Sequence, residues 1–179
     1  KVGIFMNETL EMIKERRSIR KYQAKLPTKE EIEMVVQAGL EAASGMNRQP
    51  VHILAVTQKA LRDKLSAANA KVGNFEAGVD PFYGAPVVLV VLADKRCPTY
   101  LYDGSLAMGN MMLAAKSIGL GSCWIHRAKE EFEQAEFKSL LKELGVEGNF
   151  EGIGHCILGY PDQEAQAHPI QANRVTWVE

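Results

Sequence analysis

Residues 86–94, PVVLVVLAD, form an unbroken apolar run. A strand with water on one face alternates polar and apolar side chains, whereas a run without alternation needs cover on both faces. The segment therefore predicts a central strand with a layer of structure on each side. The chain has 179 residues, 46% hydrophobic and 24% charged, which is enough apolar material for one such core. No Pro/Gly/Ser-rich linker, internal repeat or low-complexity tract divides it, so 1–179 is read as a single domain.

The flanking segments supply the layers. Asn7 opens a short helix over 7–16, with Met6, Leu10 and Ile13 on one face. Thr28 and Glu31 form a capping-box pattern for a second helix reaching about residue 43, whose apolar face carries Ile32, Val35, Val36, Gly39, Leu40 and Ala43. VHILAV (51–56) reads as a strand, 58–69 as a helix, and 71–86 as irregular. GLGSCWIHR (119–127) is a turn into a short strand, 129–144 a helix with a charged outer face, and GIGHCILGYP (152–161) a last core strand. VTWV (175–178) could add to a sheet edge. Helices and strands intermix without enough strand–helix–strand units for a doubly wound sheet, so the fold class is α+β.

The predicted helix 103–118 is apolar nearly all round, with Leu106, Ala107, Met108, Met111, Met112, Leu113 and Ala114. Such a helix must be covered on every side. Either it is the core of the monomer or it is a subunit interface.

Charge and cysteine usage exclude several classes. Lys and Arg total 21 against 22 Asp and Glu, without the basic excess of a nucleic-acid binder. Cys97, Cys123 and Cys156 are odd in number and widely spaced, which suits free thiols in a reducing compartment. The first residues lack a signal-peptide core and no apolar stretch is long enough to span a bilayer, so a cytoplasmic protein is expected. Cys123 and His126 stand three apart, but no second ligand pair accompanies them, so no metal is expected. Glu130, Glu131, Glu133 and Glu136 read as a solvated face.

Two polar segments remain. In ERRSIRKY (15–22), Arg16, Ser18 and Arg20 alternate, so in an extended chain they point one way and could grip a phosphate. The same charges would equally suit a solvated helix end. SGMNRQP (44–50) offers Ser44, Asn47 and Gln49, whose donors and acceptors suit the edge of a heterocycle or an ordinary turn. GLGSCW lacks the third glycine of a dinucleotide fingerprint and follows a helix, so no Rossmann site is read; the GIG of 152–154 lies within a strand pattern and is equally weak.

The order of these segments is more informative than any one of them. R-R-S-x-R after a short helix, then S-x-x-N-x-Q-P before a strand, then an apolar helix leading into G-L-G-S-C-W, then L-G-Y-P resembles the nitroreductase family of FMN-dependent enzymes over nearly the whole chain. The resemblance implies a sandwich with a central, mainly antiparallel sheet flanked by helices, in an intertwined homodimer with FMN at the interface. It makes helix 103–118 the dimer core and carries the tail onto the partner. Arg16, Ser18 and Arg20 become the phosphate clamp, with Arg17 beside them and Arg174 as a further phosphate ligand. Ser44, Asn47 and Gln49 lie against the flavin and its ribityl chain. The backbone of Trp124, Ile125 and His126 meets the ring.

The resemblance also implies that NADH or NADPH gives hydride to the flavin and that a nitroaromatic, quinone or similar acceptor then takes its place, in ping-pong order. The flavin carries the hydride, so no catalytic side chain is named. Asn74, Phe75, Phe82 and Tyr83, in 71–84, are candidates for the acceptor pocket or for packing. His126 and Arg127 stand where related sequences often have small or acidic residues. A charged His126 could stabilise reduced flavin; alternatively only its backbone matters. The other functional reading is a flavin carrier or redox sensor without efficient turnover.

Overall fold

The computed structural model describes residues 7–179. Met6, expected on the apolar face of the first helix, lies outside the described residues. The elements are α1 (Glu8–Glu15), α2 (Lys29–Leu40), β1 (Val51–Val56), α3 (Lys59–Val72), β2 (Val87–Asp94), α4 (Tyr100–Ser117), β3 (Gly121–Ile125), α5 (Ala128–Phe132), α6 (Ala135–Glu143) and β4 (Phe150–Gly159). The four strands form one sheet in the order β1-β2-β4-β3, and every neighbouring pair is antiparallel. The fold is α+β, as the intermixed pattern predicts.

β2 is central and every residue of it is buried. Val87, Leu89, Val91 and Ala93 pack with Val35 of α2 and Met108 and Met111 of α4. Val88, Val90 and Leu92 face the opposite layer, with Leu65 of α3, Phe82, and Phe137 of α6. The strand meets protein on both sides, which is why its sequence shows no alternation. Burying one such aliphatic side chain contributes about 1.5–3 kcal/mol, so this strand anchors both cores.

The helix starts follow local chemistry. Asn7 Oδ1 accepts from Leu10 N at 3.0 Å. Thr28 and Glu31 satisfy each other's backbone N–H groups, at 2.7 and 3.2 Å, which is a complete capping box. The second helix ends at Leu40, short of residue 43. The GIG of β4 is a packing device. A Cβ on Gly152 would come within 2.2 Å of the Ala128 carbonyl oxygen, and one on Gly154 within 2.5 Å of the Trp124 indole.

One expectation needs correction. Residues 129–144 are two helices, α5 and α6, and Glu131 is fully buried rather than part of a solvated face. α5 packs onto β4, and this turns Glu131 inward to meet His155 Nε2 at 3.1 Å. The helix expected over 103–118 is α4, and it is buried along one face only, by Asp103, Gly104, Ala107, Met108, Met111 and Ala115. Leu101, Tyr102 and Leu106 remain exposed on the other side, so this chain alone does not cover the helix.

The sheet edges differ. Ser18 forms a parallel bridge with Ser122, and Ile19 N donates to Ser122 O at 2.9 Å, which closes the β3 edge with the basic segment. The outer edge of β1 has no neighbouring strand among the described residues. Residues 175–178 form no strand within the chain, and Trp177 is 83% exposed. Among the described residues no helix is long and apolar enough to cross a membrane.

Candidate functional site

The basic segment is held extended by its pairing with β3. Ile19 is buried and occupies the space above Gly121, where a Cβ would meet it at 2.9 Å. Alternation along an extended chain then turns Ser18 and Arg20 the other way. Tyr22 strengthens the anchor: its hydroxyl donates to Ile19 O at 2.7 Å, and burial raises the phenol well above its ordinary pKa, so it stays a neutral donor.

Neither Arg16 nor Arg20 has a carboxylate within ion-pair distance among the described residues. Arg17 is engaged differently. Its guanidinium donates to the carbonyls of Lys14 and Arg16, at 2.7 and 2.6 Å, and so caps the end of α1. A cleft of about 390 Å³ opens beside the segment, lined in part by Arg16, Arg17, Lys116, Ser122 and the acids Glu15 and Glu164; Ser18 and Arg20 lie outside its lining. Uncommitted guanidinium groups next to a hydroxyl form a donor set suited to a phosphate. This donor set fits the phosphate end of FMN.

The loop after α2 is built to push its side chains outward. Met46, Asn47 and Gln49 have φ of 53, 54 and 48°. Non-glycine residues in the left-handed region carry strain that the surroundings must offset. Ser44 Oγ accepts from Gln49 N at 3.0 Å, and Asp103 Oδ1 accepts from Gly45 N at 3.0 Å. Asp103 is fixed in turn by Thr99 Oγ1 at 2.8 Å. With the backbone held, Asn47 and Gln49 stay exposed and hydrogen-bond each other at 2.9 Å. Their remaining donors and acceptors suit a heteroaromatic edge.

β3 places Trp124 and Ile125 opposite Cys156 and His155 of β4. The Trp124 indole packs against Gly154. His126 follows the strand with its side chain exposed and its carbonyl taken by Asn69 Nδ2 at 2.8 Å. Asn69 also donates to Glu131, and Glu131 meets His155. This buried chain fixes the turn after β3.

Asn69 and Glu131 were not legible as site-supporting residues. Asn69 is one polar residue within a helix pattern, and Glu131 is one of several glutamates. Asp103, an acid opening an otherwise apolar helix, did carry a signal.

The remaining candidates lie in different surroundings. Asn74 and Phe75 are exposed at the end of α3, whereas Phe82 is completely buried. Its ring lies 5.1 Å from that of His155 and under the Arg62 guanidinium, so it is a core residue and cannot line an acceptor pocket. Asp80 holds this part of the loop. Burial alone would raise its carboxyl, but hydrogen bonds from Arg62, Ser66, Gly84 N and Phe82 N outweigh that and keep it below the usual range. Arg174 sits in the exposed tail. Burial, with Cys123 nearby, pushes the Cys156 thiol up to about 12, which makes it a poor nucleophile. No group of three or more His, Cys, Asp or Glu side chains among the described residues is placed to hold a metal.

The two polar segments sit at opposite ends of α4. The 44–49 loop hangs on Asp103, whereas the cleft beside Arg16 reaches Lys116. At 1.5 Å per residue these positions are about 20 Å apart along the helix.

Known proteins share this fold. The model of the nitroreductase family matches residues 13–160. An NADPH-flavin oxidoreductase of Vibrio harveyi is 31% identical, over 92% of this chain and 70% of its own length. A nitroreductase of Bacteroides fragilis, solved with bound FMN, superposes with a TM-score of 0.86 at 29% identity, covering 97% of this chain and all of that one. A nitroreductase of Desulfitobacterium hafniense, also with bound FMN, gives a TM-score of 0.87 at 28% identity, covering 98% and 100%. A match across both cores, the edge-paired basic segment and the strand that follows α4 places this chain in the nitroreductase family.

Proposed function

We propose that this protein is an FMN-dependent oxidoreductase that takes electrons from NADH or NADPH and passes them to nitroaromatic, quinone or similar acceptors as a homodimer. The observation that carries the reading is the basic segment: two arginines without carboxylate partners among the described residues flank a serine that is paired to the sheet edge. The relatives solved with FMN and the NADPH-flavin oxidoreductase support it.

When bound, FMN supplies hydride acceptance and donation. The chain supplies position and charge. Arg16, Ser18 and Arg20 bind the phosphate, with Arg17 restricted to shaping the helix end and Arg174 approaching from the tail. Ser44 fixes the loop that presents Asn47 and Gln49 to the ring and the ribityl chain. The backbone of Trp124, Ile125 and His126 borders the ring, and the buried Asn69–Glu131–His155 chain keeps that border still. Asn74 and Phe75 stand beside the acceptor.

Placement supports the dimer. One chain carries the phosphate clamp and the amide loop at opposite ends of α4. A two-fold pairing of α4 against α4 brings one copy's 44–49 loop beside the other copy's 16–20 segment. It also covers Leu101, Tyr102 and Leu106. The open β1 edge would accept the other copy's VTWV segment, beside an apolar groove of about 440 Å³ lined by Ile53, Leu54, Leu61, Leu144 and Val146.

Arg16→Ala or Arg20→Ala tests the clamp. A lost charge-assisted hydrogen bond of about 1.5–3 kcal/mol lowers FMN affinity roughly ten- to hundredfold. The dimer should survive in gel filtration. Unchanged flavin content in both variants would remove the assignment.

A further inference from the structure

Arg127 stands out from every other charged side chain. Its φ is +77°, and it is the only charged residue in the left-handed region among the described residues. A glycine would sit there without strain. An outlier of this kind motivates a search for what the side chain does.

Its surroundings are organised. Arg127 Nε donates to Asn69 Oδ1 at 3.2 Å. The guanidinium carbon lies 4.9 Å from the centre of the Phe75 ring. Gly73 makes room for both: a Cβ there would come within 3.0 Å of Arg127 Nε and 2.8 Å of Phe75 Cε2. Asn69 is itself locked, donating to His126 O and Glu131, while Glu131 meets His155. Asn69, Glu131 and His155 are each completely buried. The guanidinium is thus held through a buried chain rather than left to wander. Only Nε has a hydrogen-bond partner among the described residues, and no carboxylate lies within ion-pair distance. The two terminal amino groups keep a fork of donors that matches a carboxylate.

The position gives this fork a purpose. Arg127 directly follows the 124–126 backbone that borders the flavin under the proposed function, and the present inference rests on that reading. Phe75 is 43% exposed and offers an aromatic face beside the fork. A ring carrying an oxyanion meets both features at once. We propose that Arg127 and Phe75 form a subsite that selects aromatic acceptors bearing a carboxylate, with Arg127 as the specificity-determining residue. The other source of an oxyanion at this place is the 2′-phosphate of NADPH.

The test compares 4-nitrobenzoate with 4-nitrobenzamide, which share shape and differ in charge. The quantity read is the ratio of their kcat/KM values in the FMN-loaded enzyme, for the wild type, Arg127→Gln and Arg127→Lys. Loss of a desolvated charge pair should lower that ratio about tenfold or more in Arg127→Gln, mainly through KM, and Lys should restore part of it. An equal ratio in wild type and Arg127→Gln overturns the proposal. So does a fall confined to the NADPH-to-NADH ratio, which would assign the subsite to the donor.

Calorimetry on the wild type keeps the idea testable if a variant does not fold. Benzoate should bind more tightly than benzamide and lose that advantage as salt is raised; equal binding overturns the proposal. Failure of the underlying reading looks different, because the wild type then holds no FMN before any ratio is measured.

Discussion

The loop Ser44–Gln49 and the loop Asp80–Gly84 are both short, and both force non-glycine residues into the left-handed region: Met46, Asn47 and Gln49 in one, Tyr83 in the other. They differ in where their polar groups go. Asp80 accepts from Ser66 Oγ, Phe82 N and Gly84 N, at 2.5, 2.9 and 2.8 Å, and also pairs with Arg62. Every donor aimed at that carboxylate comes from within the chain, and the loop uses it to bury Phe82. In the first loop Ser44 and Asp103 satisfy backbone N–H groups, while the side chains of Asn47 and Gln49 bond each other and stay exposed. The destination of each hydrogen bond separates a structural loop from a presenting loop.

Substitutions should split along that line. Asp80→Ala leaves the nearly buried Arg62 guanidinium with Asp63 as its one remaining carboxylate partner among the described residues and frees two backbone donors. We expect a loss of about 2–4 kcal/mol in urea unfolding. A loss under about 0.5 kcal/mol would place this loop in the same class as the other.

Asn47→Ala combined with Gln49→Ala should change folding stability by less than about 0.5 kcal/mol, as for exposed groups. The pair should nevertheless weaken FMN binding about tenfold, the effect of one or two lost hydrogen bonds. A double variant that unfolds readily but binds FMN normally would reverse the comparison.

The smallest effect is in acid. The Asp80 carboxyl is held below its unfolded value of about 3.9. The folded state therefore binds the proton less readily, and the stabilisation is complete above that value and lost as pH falls through the lower folded one. The gap in stability between wild type and Asp80→Asn should narrow below about pH 4. A gap constant from pH 7 to pH 3 would show that the carboxylate charge is irrelevant.

Much of the architecture was legible because its signals are local or periodic. PVVLVVLAD announced a strand covered on both faces. Thr28 and Glu31 announced a helix start through groups that bond only each other. The extended course of the segment at Ser18 lets it bridge to Ser122 at the sheet edge. What could not be read depends on residues far apart in sequence. Phe82 and Phe75 look alike in a Gly- and Pro-rich stretch, and only the Asp80–Arg62 pair sends one inward. Glu131 resembles its solvated neighbours until α5 packs on β4 and His155 comes beneath it. Arg17 resembles Arg16, but the carbonyls at the end of α1 claim its guanidinium. The surplus of apolar residues on α4 was legible as a helix that is either the monomer core or a subunit interface, and the resemblance to the family made it the dimer core.

The most direct test of the central claim is the visible spectrum of the purified protein, recorded anaerobically before and after NADH and then NADPH. The account predicts a yellow protein that bleaches with at least one donor and regains its colour when a quinone or nitroaromatic is added. A yellow protein that neither donor bleaches would contradict turnover and favour a carrier or sensor. A colourless protein that takes up no added FMN would contradict the account at its base, leaving Arg16, Ser18 and Arg20 as a solvated turn.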